Sequence, residues 1–376
     1  MTMWIIIMWV SMAFVAASFA FISIRIPHLI DIQSISGWNT FKQFSLGLLV
    51  SSGIAGVITL CIDFINALVC VIYLAMIWAV SDFVFWLIEK FTHITFEHYY
   101  AGWVAVVVAI ISLVCGWRLG HRVWAAEYNL TTDKNINDLR VVMFADSHMG
   151  TTFGAKGFEK HLLQMQKENP DLVVVVGDYV DDGTTKEVMI EATKALGKMK
   201  TKYGIYFVSG NHDKAYYGAA RRGFSEQDLF TELKKNGIVV LQDENALIDN
   251  AFYIIGRKDF SAVNEGLGGR QSMEELTKDL DKNKYMIVLD HQPADYKNQA
   301  KSEVDLVLSG HTHCGQLFPF NYVGKWIKAN DSVYGHEKHG KTDFIVTSGI
   351  SSWAIKFKTG TKSEFVVINI KKGEKS

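Results

Sequence analysis

Hydrophobic and polar positions divide the chain into two parts with different patterns. Residues 1–120 contain long apolar stretches with only nine charged side chains, whereas the later residues carry the rest of the 38 basic and 39 acidic ones. Four stretches are long enough to cross a hydrocarbon layer at about 1.5 Å per helical residue. They are Met3–Ile24, Phe44–Ile62, Ala67–Ile88 and Ala101–Trp117. The pattern therefore predicts a multi-pass helical membrane region followed by a water-soluble domain.

Three features of the membrane region leave alternatives open. The first stretch has no basic segment before its apolar core, which favours a retained helix over a cleaved signal peptide. Only Asp63–Asn66 separates the second and third stretches, so a broken helix there would reduce four spans to three. Asp82 lies inside the third stretch, where an ionisable group is a candidate functional residue. Its position near a helix end favours the alternative that it reaches the membrane interface.

The basic residues that flank the predicted spans do not decide which side of the membrane the second part occupies. With four spans, three basic residues lie on each side: Arg118, Arg122 and Lys134 against Arg25, Lys42 and Lys90. We take the cytoplasmic side as the working expectation. The formal net charge of −1 gives no basic surface at whole-chain level, so no nucleic-acid partner is expected.

From Arg140 onward, short β-rich stretches alternate with amphipathic helical segments. The predicted strands are Val141–Ala145, Leu172–Val176, Ile205–Ser209, Ile238–Leu241, Phe252–Gly256, Met286–Leu289, Leu306–Ser309, Phe344–Thr347 and Phe365–Ile370. The predicted helices are Phe158–Glu168, Lys186–Lys200, Gln227–Asn236 and Met273–Lys282. This alternation predicts an α/β domain with one large core. We divide the chain into a membrane region at 1–122, a linker at 123–138 and a domain at 139–376.

Five of the predicted strands end directly in side chains that bind metals or move protons. The five clusters are Asp146-Ser147-His148, Gly177-Asp178 through Asp181, Gly210-Asn211-His212-Asp213, Asp290-His291 and Gly310-His311-Thr312-His313. Each cluster alone has an ordinary explanation as a turn or a hydrogen-bonded histidine. Because ligands converge at the carboxyl ends of strands in an α/β sheet, five such clusters together indicate one polar site.

The residue types in these clusters suit a pair of divalent metal ions. Phosphate esters are anionic, and two cations about 3.5–4 Å apart can neutralise the phosphate and activate a water molecule. A mixture of carboxylate, imidazole and amide ligands is typical of Mn, Fe or Zn. The candidate metal ligands are Asp146, His148, Asp178, Asn211, His291, His311 and His313.

The order and spacing of these clusters resemble the calcineurin-like metallophosphoesterase family, in particular its membrane-associated bacterial branch. The resemblance covers about Asp138 to Ile370, which is nearly the whole second part. Cys314 departs from the pattern, because that branch often has glycine there. The fold that the resemblance implies is α/β, with two facing β-sheets flanked by helices (αββα) and preceded here by the helical transmembrane region.

The resemblance also implies a role for each residue of the predicted site. The two ligand sets would be Asp146, His148 and His313 for one metal, and Asn211, His291 and His311 for the other, with Asp178 bridging. His212 would stabilise or protonate the leaving oxygen and would be oriented by Asp213. Asp181 would form supporting hydrogen bonds rather than bind a metal directly.

The expected function is that of a membrane-anchored, dinuclear-metal phosphodiesterase or phosphatase. The membrane region suggests membrane lipid as a partner and a lipid-linked phosphoester as substrate, with soluble diesters as the alternative. Four aromatic residues after the site would either accommodate acyl chains or pack locally: Phe318, Phe320, Tyr322 and Trp326. A catalytically silent, metal-binding membrane sensor or scaffold is the other hypothesis.

Overall fold

The computed structural model describes residues 2–32, 35–215, 218–264 and 269–373. The chain forms two compact units, Met1–Gly116 and Trp117–Ser376. Four long helices account for most of the first unit, the last of them continuing into the second. They are α1 Thr2–Leu29, α2 Thr40–Cys61, α3 Phe64–Thr92 and α4 Tyr100–His121. Each is long and apolar enough to cross a membrane.

Polar contacts explain two features of this helical unit. Helices α2 and α3 are separate because Asp63 caps α3, its Oδ1 accepting the backbone N–H of Asn66 at 2.9 Å. Asp82 of α3 forms an ion pair with Arg25 of α1, with Nε and Oδ2 2.9 Å apart, and accepts a hydrogen bond from Tyr99. An ionisable group inside an apolar helix is expensive unless it is paired in this way.

The second unit contains two six-stranded sheets with helices around them. The strands are β1 Val123–Thr132, β2 Leu139–Phe144, β3 Leu172–Val176, β4 Ile205–Val208, β5 Ile238–Val240, β6 Glu244–Ile248, β7 Phe252–Gly256, β8 Tyr285–Leu289, β9 Leu306–Ser309, β10 Gly335–His339, β11 Thr342–Val346 and β12 Ser363–Lys372. The helices are α5 Ala155–Gln166, α6 Lys186–Leu196, α7 Ala219–Arg222, α8 Glu226–Lys235, α9 Ser261–Asn264, α10 Met273–Thr277, α11 Tyr296–Lys301 and α12 Val323–Trp326, with 3₁₀ turns at His313–Gly315 and Phe320–Tyr322.

Strand order and direction bring the ends of distant strands to common sheet edges. The first sheet has the order β1-β12-β2-β3-β4-β5 and the second β10-β11-β9-β8-β7-β6. Strands β2 to β5 run parallel to one another, and so do β7, β8, β9 and β11. The prediction of two sheets flanked by helices is confirmed.

The two sheets pack on each other through one face and on helices through the other. Buried aliphatic residues of both sheets, such as Val174 and Ile287, form the central layer. On the outer face of the first sheet, α5 presents Phe158, Leu162 and Met165, whose spacing places them on one side of the helix. Helices α10 and α11 cover the outer face of the second sheet. The site is therefore built on strands that are buried on both sides.

The segment predicted as a linker, 123–138, is different in the structure. Its first ten residues form β1, which pairs in parallel with β12 from Val123↔Ser363 to Thr132↔Lys372. Leu130 is 6% exposed and belongs to the central layer. The strand was missed because its sequence, VWAAEYNLTT, carries polar residues on the outward face of a sheet edge. The unpredicted strands β6 and β10 are also edge strands with polar sequences.

Replacing Leu130 tests whether β1 is part of the domain core. Leu130→Ala should lower the free energy of unfolding by about 2–5 kcal/mol, because it leaves a cavity in the central layer. Thr131→Ala, on the exposed side of the same strand, should change it by less than about 0.5 kcal/mol. Pulse proteolysis of the full chain in detergent across a urea series would measure both. Equal effects for the two variants would contradict the packing of β1.

Candidate metal centre

The structure brings the predicted site residues together at the carboxyl ends of five strands. Asp146 and His148 follow β2, Asp178 and Asp181 follow β3, Asn211, His212 and Asp213 follow β4, His291 follows β8, and His311 and His313 follow β9. Among the described residues, three groups have one donor atom from each member within 4.8 Å of the others: Asp146, His148 and His313; Asp178, His291 and His311; and His148, Asp181 and His212. The two sheets thus contribute donors to one cluster.

Asp178 belongs to the second group and also lies close to the first. Its Oδ2 atom is 3.1 Å from His291 Nε2 and 3.7 Å from His148 Nε2. On the other side, His148 Nε2 is 3.1 Å from His313 Nε2, which is 3.8 Å from Asp146 Oδ1. Donor atoms around one ion with bonds of about 2.0–2.2 Å lie at similar separations. The carboxylate of Asp178 is thus placed as a shared ligand would be.

Unpaired polar atoms inside this cluster agree with bound cations. His291 Nδ1 donates to the carbonyl of Val176 at 2.8 Å, which leaves Nε2 directed at Asp178 without a hydrogen bond. A proton or a cation must therefore lie between Nε2 and the carboxylate oxygen. Asn211 Oδ1 is also buried and has no hydrogen-bond partner among the described residues, which costs about 1–3 kcal/mol if nothing binds it. The donor set fits the metal pair that the sequence predicts.

The charges of the cluster favour a positive ion. Burial alone would lower the pKa of His291, but the neighbouring carboxylates of Asp178 and Asp146 raise it well above its ordinary value. Burial would likewise raise the pKa of Asp178, but His291 and His148 hold it well below its usual range. The carboxylate is therefore charged, and the field that attracts a proton to the imidazole also attracts a metal ion.

The backbone adopts an uncommon conformation at the same residues. Positive φ angles occur at five of them: Asp146 (56°), His148 (35°), Asp178 (50°), His311 (71°) and His313 (48°). Residues other than glycine seldom adopt such angles, which cost free energy and tend to cluster at functional sites. Hydrogen bonds hold the turns, since the N–H of His311 donates to the Asp146 carboxylate at 2.9 Å and that of His212 donates to Asp178 Oδ1 at 2.8 Å.

The carboxylates fit because glycines leave room for them. A Cβ atom on Gly210 would lie 2.3 Å from Asp178 Oδ1 and 2.8 Å from His291 Nε2. One on Gly310 would lie 2.7 Å from Asp146 Oδ2. All three distances are shorter than van der Waals contact, so any larger residue at either position would displace a candidate ligand.

The pairing of His212 differs from the prediction. Its Nδ1 lies 3.1 Å from Asp181 Oδ1, whereas the Asp213 carboxylate accepts the N–H groups of Gly210 and Val180 at 2.8 and 3.0 Å. The structure therefore corrects the orienting residue from Asp213 to Asp181. Sequence adjacency suggested Asp213, but the turn after β4 directs that buried side chain toward the backbone.

Asp181 connects His212 to the metal ligands. Its second oxygen, Oδ2, lies 3.2 Å from His148 Nδ1, so one carboxylate holds two imidazoles. Burial would lower the pKa of His212, but the hydrogen bond that its ring donates to Asp181 and the charge of Asp178 raise it above its ordinary value. The raised pKa favours the protonated form of the imidazole.

Sequence reasoning missed the ionic cluster beneath His291. Asp290, fully buried, accepts hydrogen bonds from Arg257 and Arg270, both at 2.9 Å, and Arg257 also contacts Asp295 at 2.8 Å. The cluster fixes the backbone directly before a candidate metal ligand. The dipeptide Asp290-His291 was visible in the sequence, but nothing there indicated arginine partners 20 and 33 residues away.

A methyl group at Gly210 tests whether these donors bind metal. Gly210→Ala should weaken metal binding by about 10- to 100-fold, because the new Cβ displaces Asp178 and His291. Gly183→Ala is the matched control, since a Cβ there would meet nothing within 4 Å. Elemental analysis of the full chain after dialysis would measure the metal content. Parental metal content in Gly210→Ala would contradict the assignment.

Comparison with known proteins agrees with this geometry. The sequence pattern of the calcineurin-like phosphoesterase family matches residues 139–315. An uncharacterized metallophosphoesterase of Aquifex aeolicus is 30% identical over 248 residues, which cover 65% of this chain and 90% of that protein. An uncharacterized metallophosphoesterase of Campylobacter jejuni is 32% identical over 237 residues, covering 62% of this chain and 59% of that one.

A vertebrate relative is named as a transmembrane protein. The transmembrane protein with metallophosphoesterase domain of Danio rerio is 31% identical over 248 residues, covering 63% of this chain and 54% of that protein. The match thus spans less than two thirds of the length of the Campylobacter and Danio relatives. Because the Aquifex relative is 30% identical and is matched over 90% of its length, and the family pattern matches residues 139–315, the chain belongs to the calcineurin-like phosphoesterase family.

Proposed function

We propose that the protein is a membrane-anchored, dinuclear-metal phosphoester hydrolase that cleaves phosphodiesters or phosphomonoesters. The observation that carries this proposal is the position of Asp178, whose Oδ2 faces His291 of its own group and His148 of the neighbouring one, with the His212–Asp181 pair beside it. The family and the four apolar helices support the same function. The cytoplasmic placement of the domain stays a prediction from the sequence.

The proposed ligand assignment follows the two donor groups. One ion would be held by Asp146, His148 and His313, the other by Asn211, His291 and His311, and Asp178 would be shared. Such ligands suit Mn, Fe or Zn, and availability decides among them. A bound metal pair supplies charge neutralisation for the phosphate and a lowered pKa for an attacking water.

His212 would serve the leaving group. Its imidazole is partly exposed, with a side-chain exposure of 13%, and Asp181 fixes the ring through Nδ1. Nε2 is then the ring nitrogen that would donate a proton to the departing oxygen. Asp213 would act indirectly, since its carboxylate holds the turns that carry Gly210 and Val180.

The four apolar helices support a proposal for the class of substrate. A domain attached to a bilayer meets phosphoesters of lipids at high local concentration, because both are confined to one surface. Lipid-linked phosphoesters are therefore the proposed substrate class, and soluble diesters would be cleaved at the same site.

Metal dependence and the shared carboxylate can be tested together. Chelator-treated full chain should not hydrolyse bis-p-nitrophenyl phosphate, and adding Mn²⁺, Zn²⁺, Fe²⁺ or Mg²⁺ should restore turnover with at least one of them. Asp178→Asn should remain folded but bind fewer ions and lose nearly all turnover, because it removes a charged ligand from both groups. Two bound ions without turnover on any phosphoester would favour a silent sensor, and full activity of Asp178→Asn would refute the bridging role.

The role of His212 predicts a dependence on the leaving group. His212→Ala should slow substrates with poor leaving groups by about 10²- to 10⁴-fold, and activated p-nitrophenyl esters much less. Asp181→Asn should show the same selectivity with a smaller loss, since it weakens the contact that orients the His212 ring. Because Asp181 also contacts His148, the metal content of this variant would be measured as well. Rates for a series of aryl and alkyl esters with each variant would measure this. An equal loss on all esters would remove the proton-donor role.

A further inference from the structure

Large apolar side chains are concentrated on one surface of the second unit. Among the described residues after 122, ten large apolar side chains are exposed, and six of them lie in a short segment and an adjacent loop. These six are 48–71% exposed: Phe318, Phe320, Tyr322, Trp326, Ile327 and Trp353. The other four are aliphatic residues at separate positions along the chain: Leu163, Val239, Leu247 and Val263. We call residues 318–328 together with Trp353 the aromatic surface.

Hydrogen bonds of two polar side chains hold this surface against the rest of the domain. Gln316 accepts the N–H of Trp353 at 3.0 Å and donates to the carbonyl of Ile355 at 2.8 Å, so it joins the segment to the loop. Asn321 is buried and donates to the carbonyl of Cys314 at 3.0 Å. Asn321 therefore faces the protein, while the aromatic members face outward.

The aromatic surface adjoins the metal centre. Gln316 is only three residues after the candidate ligand His313. Trp353 lies beside the proposed proton donor, with the centres of its ring and the His212 ring 5.5 Å apart. Any molecule or membrane that contacts the aromatic surface therefore also lies close to the site where the phosphoester would bind.

The composition of the segment fits the interfacial region of a lipid bilayer. Tryptophan and tyrosine are enriched at that depth, and lysine interacts with anionic headgroups. Lys325 and Lys328 stand on either side of Trp326 and Ile327, the two most exposed of the six apolar side chains, and Lys325 also forms an ion pair with Glu337 at 2.7 Å. An apolar face bordered by lysine is the pattern of segments that lie in a membrane surface.

We propose that the aromatic surface inserts into the interfacial region of a phospholipid bilayer. The chain itself argues for this occupant over a second protein, because it carries four helices of membrane-spanning length. Arg122 alone separates α4 from β1, so a bilayer that holds α4 stays close to the second unit. Docking in this way would present the metal centre to headgroup phosphates. That consequence rests on the proposed function, whereas the docking itself does not.

Photo-crosslinking tests the docking without relying on activity. Full chain with p-benzoylphenylalanine in place of Trp326 would be irradiated in nanodiscs of phosphatidylethanolamine and phosphatidylglycerol. Mass spectrometry should detect lipid adducts at this position. The control carries the same group in place of Leu163, which is 62% exposed on α5 and should give at least tenfold fewer adducts. Absence of lipid adducts at 326, equal adducts at both positions, or adducts to a second copy alone would each overturn the proposal.

A substrate comparison tests the consequence for catalysis. Trp326→Ser/Ile327→Ser should reduce turnover of a phospholipid diester in the same nanodiscs by roughly tenfold, because two interfacial contacts are lost. Turnover of bis-p-nitrophenyl phosphate in solution should stay at the parental value, since neither residue belongs to the metal centre. A parallel loss on both substrates, or no loss on the lipid, would overturn the link to substrate. If the parent cleaves neither compound, the proposed function fails, while the crosslinking result still decides the docking.

Discussion

A charged carboxylate buried among imidazoles is the constraint that determines much else in this domain. Asp178 is 1% exposed, and burying a carboxylate without partners would cost far more free energy than a domain has available. It is retained because His212 donates a backbone N–H to it and two histidines, His148 and His291, face the same oxygen. These partners come from strand ends of two different sheets. The polar centre therefore forms only when the two sheets face each other.

The packing of the two sheets also compensates for the free-energy cost of the strained turns. The residues with positive φ follow strands such as β2, β3 and β9, whose side chains are almost completely buried between layers. The packing of those strands offsets the cost of the turns, which is of order 1–3 kcal/mol each. Gly310 and Gly349 enclose the Asp146 side chain so closely that a Cβ on either would lie 2.7 Å from one of its atoms. The glycines make room for the Asp146 carboxylate, and the buried strands hold the turn that carries it.

The sequence predicted what depends on local pattern and missed what depends on distant contacts. The all-apolar strand Leu172–Val176 was predicted with its observed bounds, because a strand buried on both faces has no polar position to dilute the signal. Edge strands such as β1 escaped since only one of their faces is buried. The seven ligand candidates were visible because each follows an apolar strand. The carboxylate that pairs with His212 was assigned wrongly. The sequence does not show in which direction the side chains of Asp181 and Asp213 point.

The loop after β9 links the chemistry of the centre to the outer surface. Within a few residues it carries two candidate ligands, His311 and His313, then Gln316, and then the aromatic segment. Cys314 and Gln316 both have positive φ angles, so the chain turns sharply between the ligands and the exposed aromatic residues. Gln316 holds that turn with hydrogen bonds to the Trp353 loop on the opposite side. Because these two bonds are 3.0 and 2.8 Å long, one side chain holds both the turn that carries the candidate ligands and the loop that carries Trp353, so the aromatic surface and the metal centre share a support.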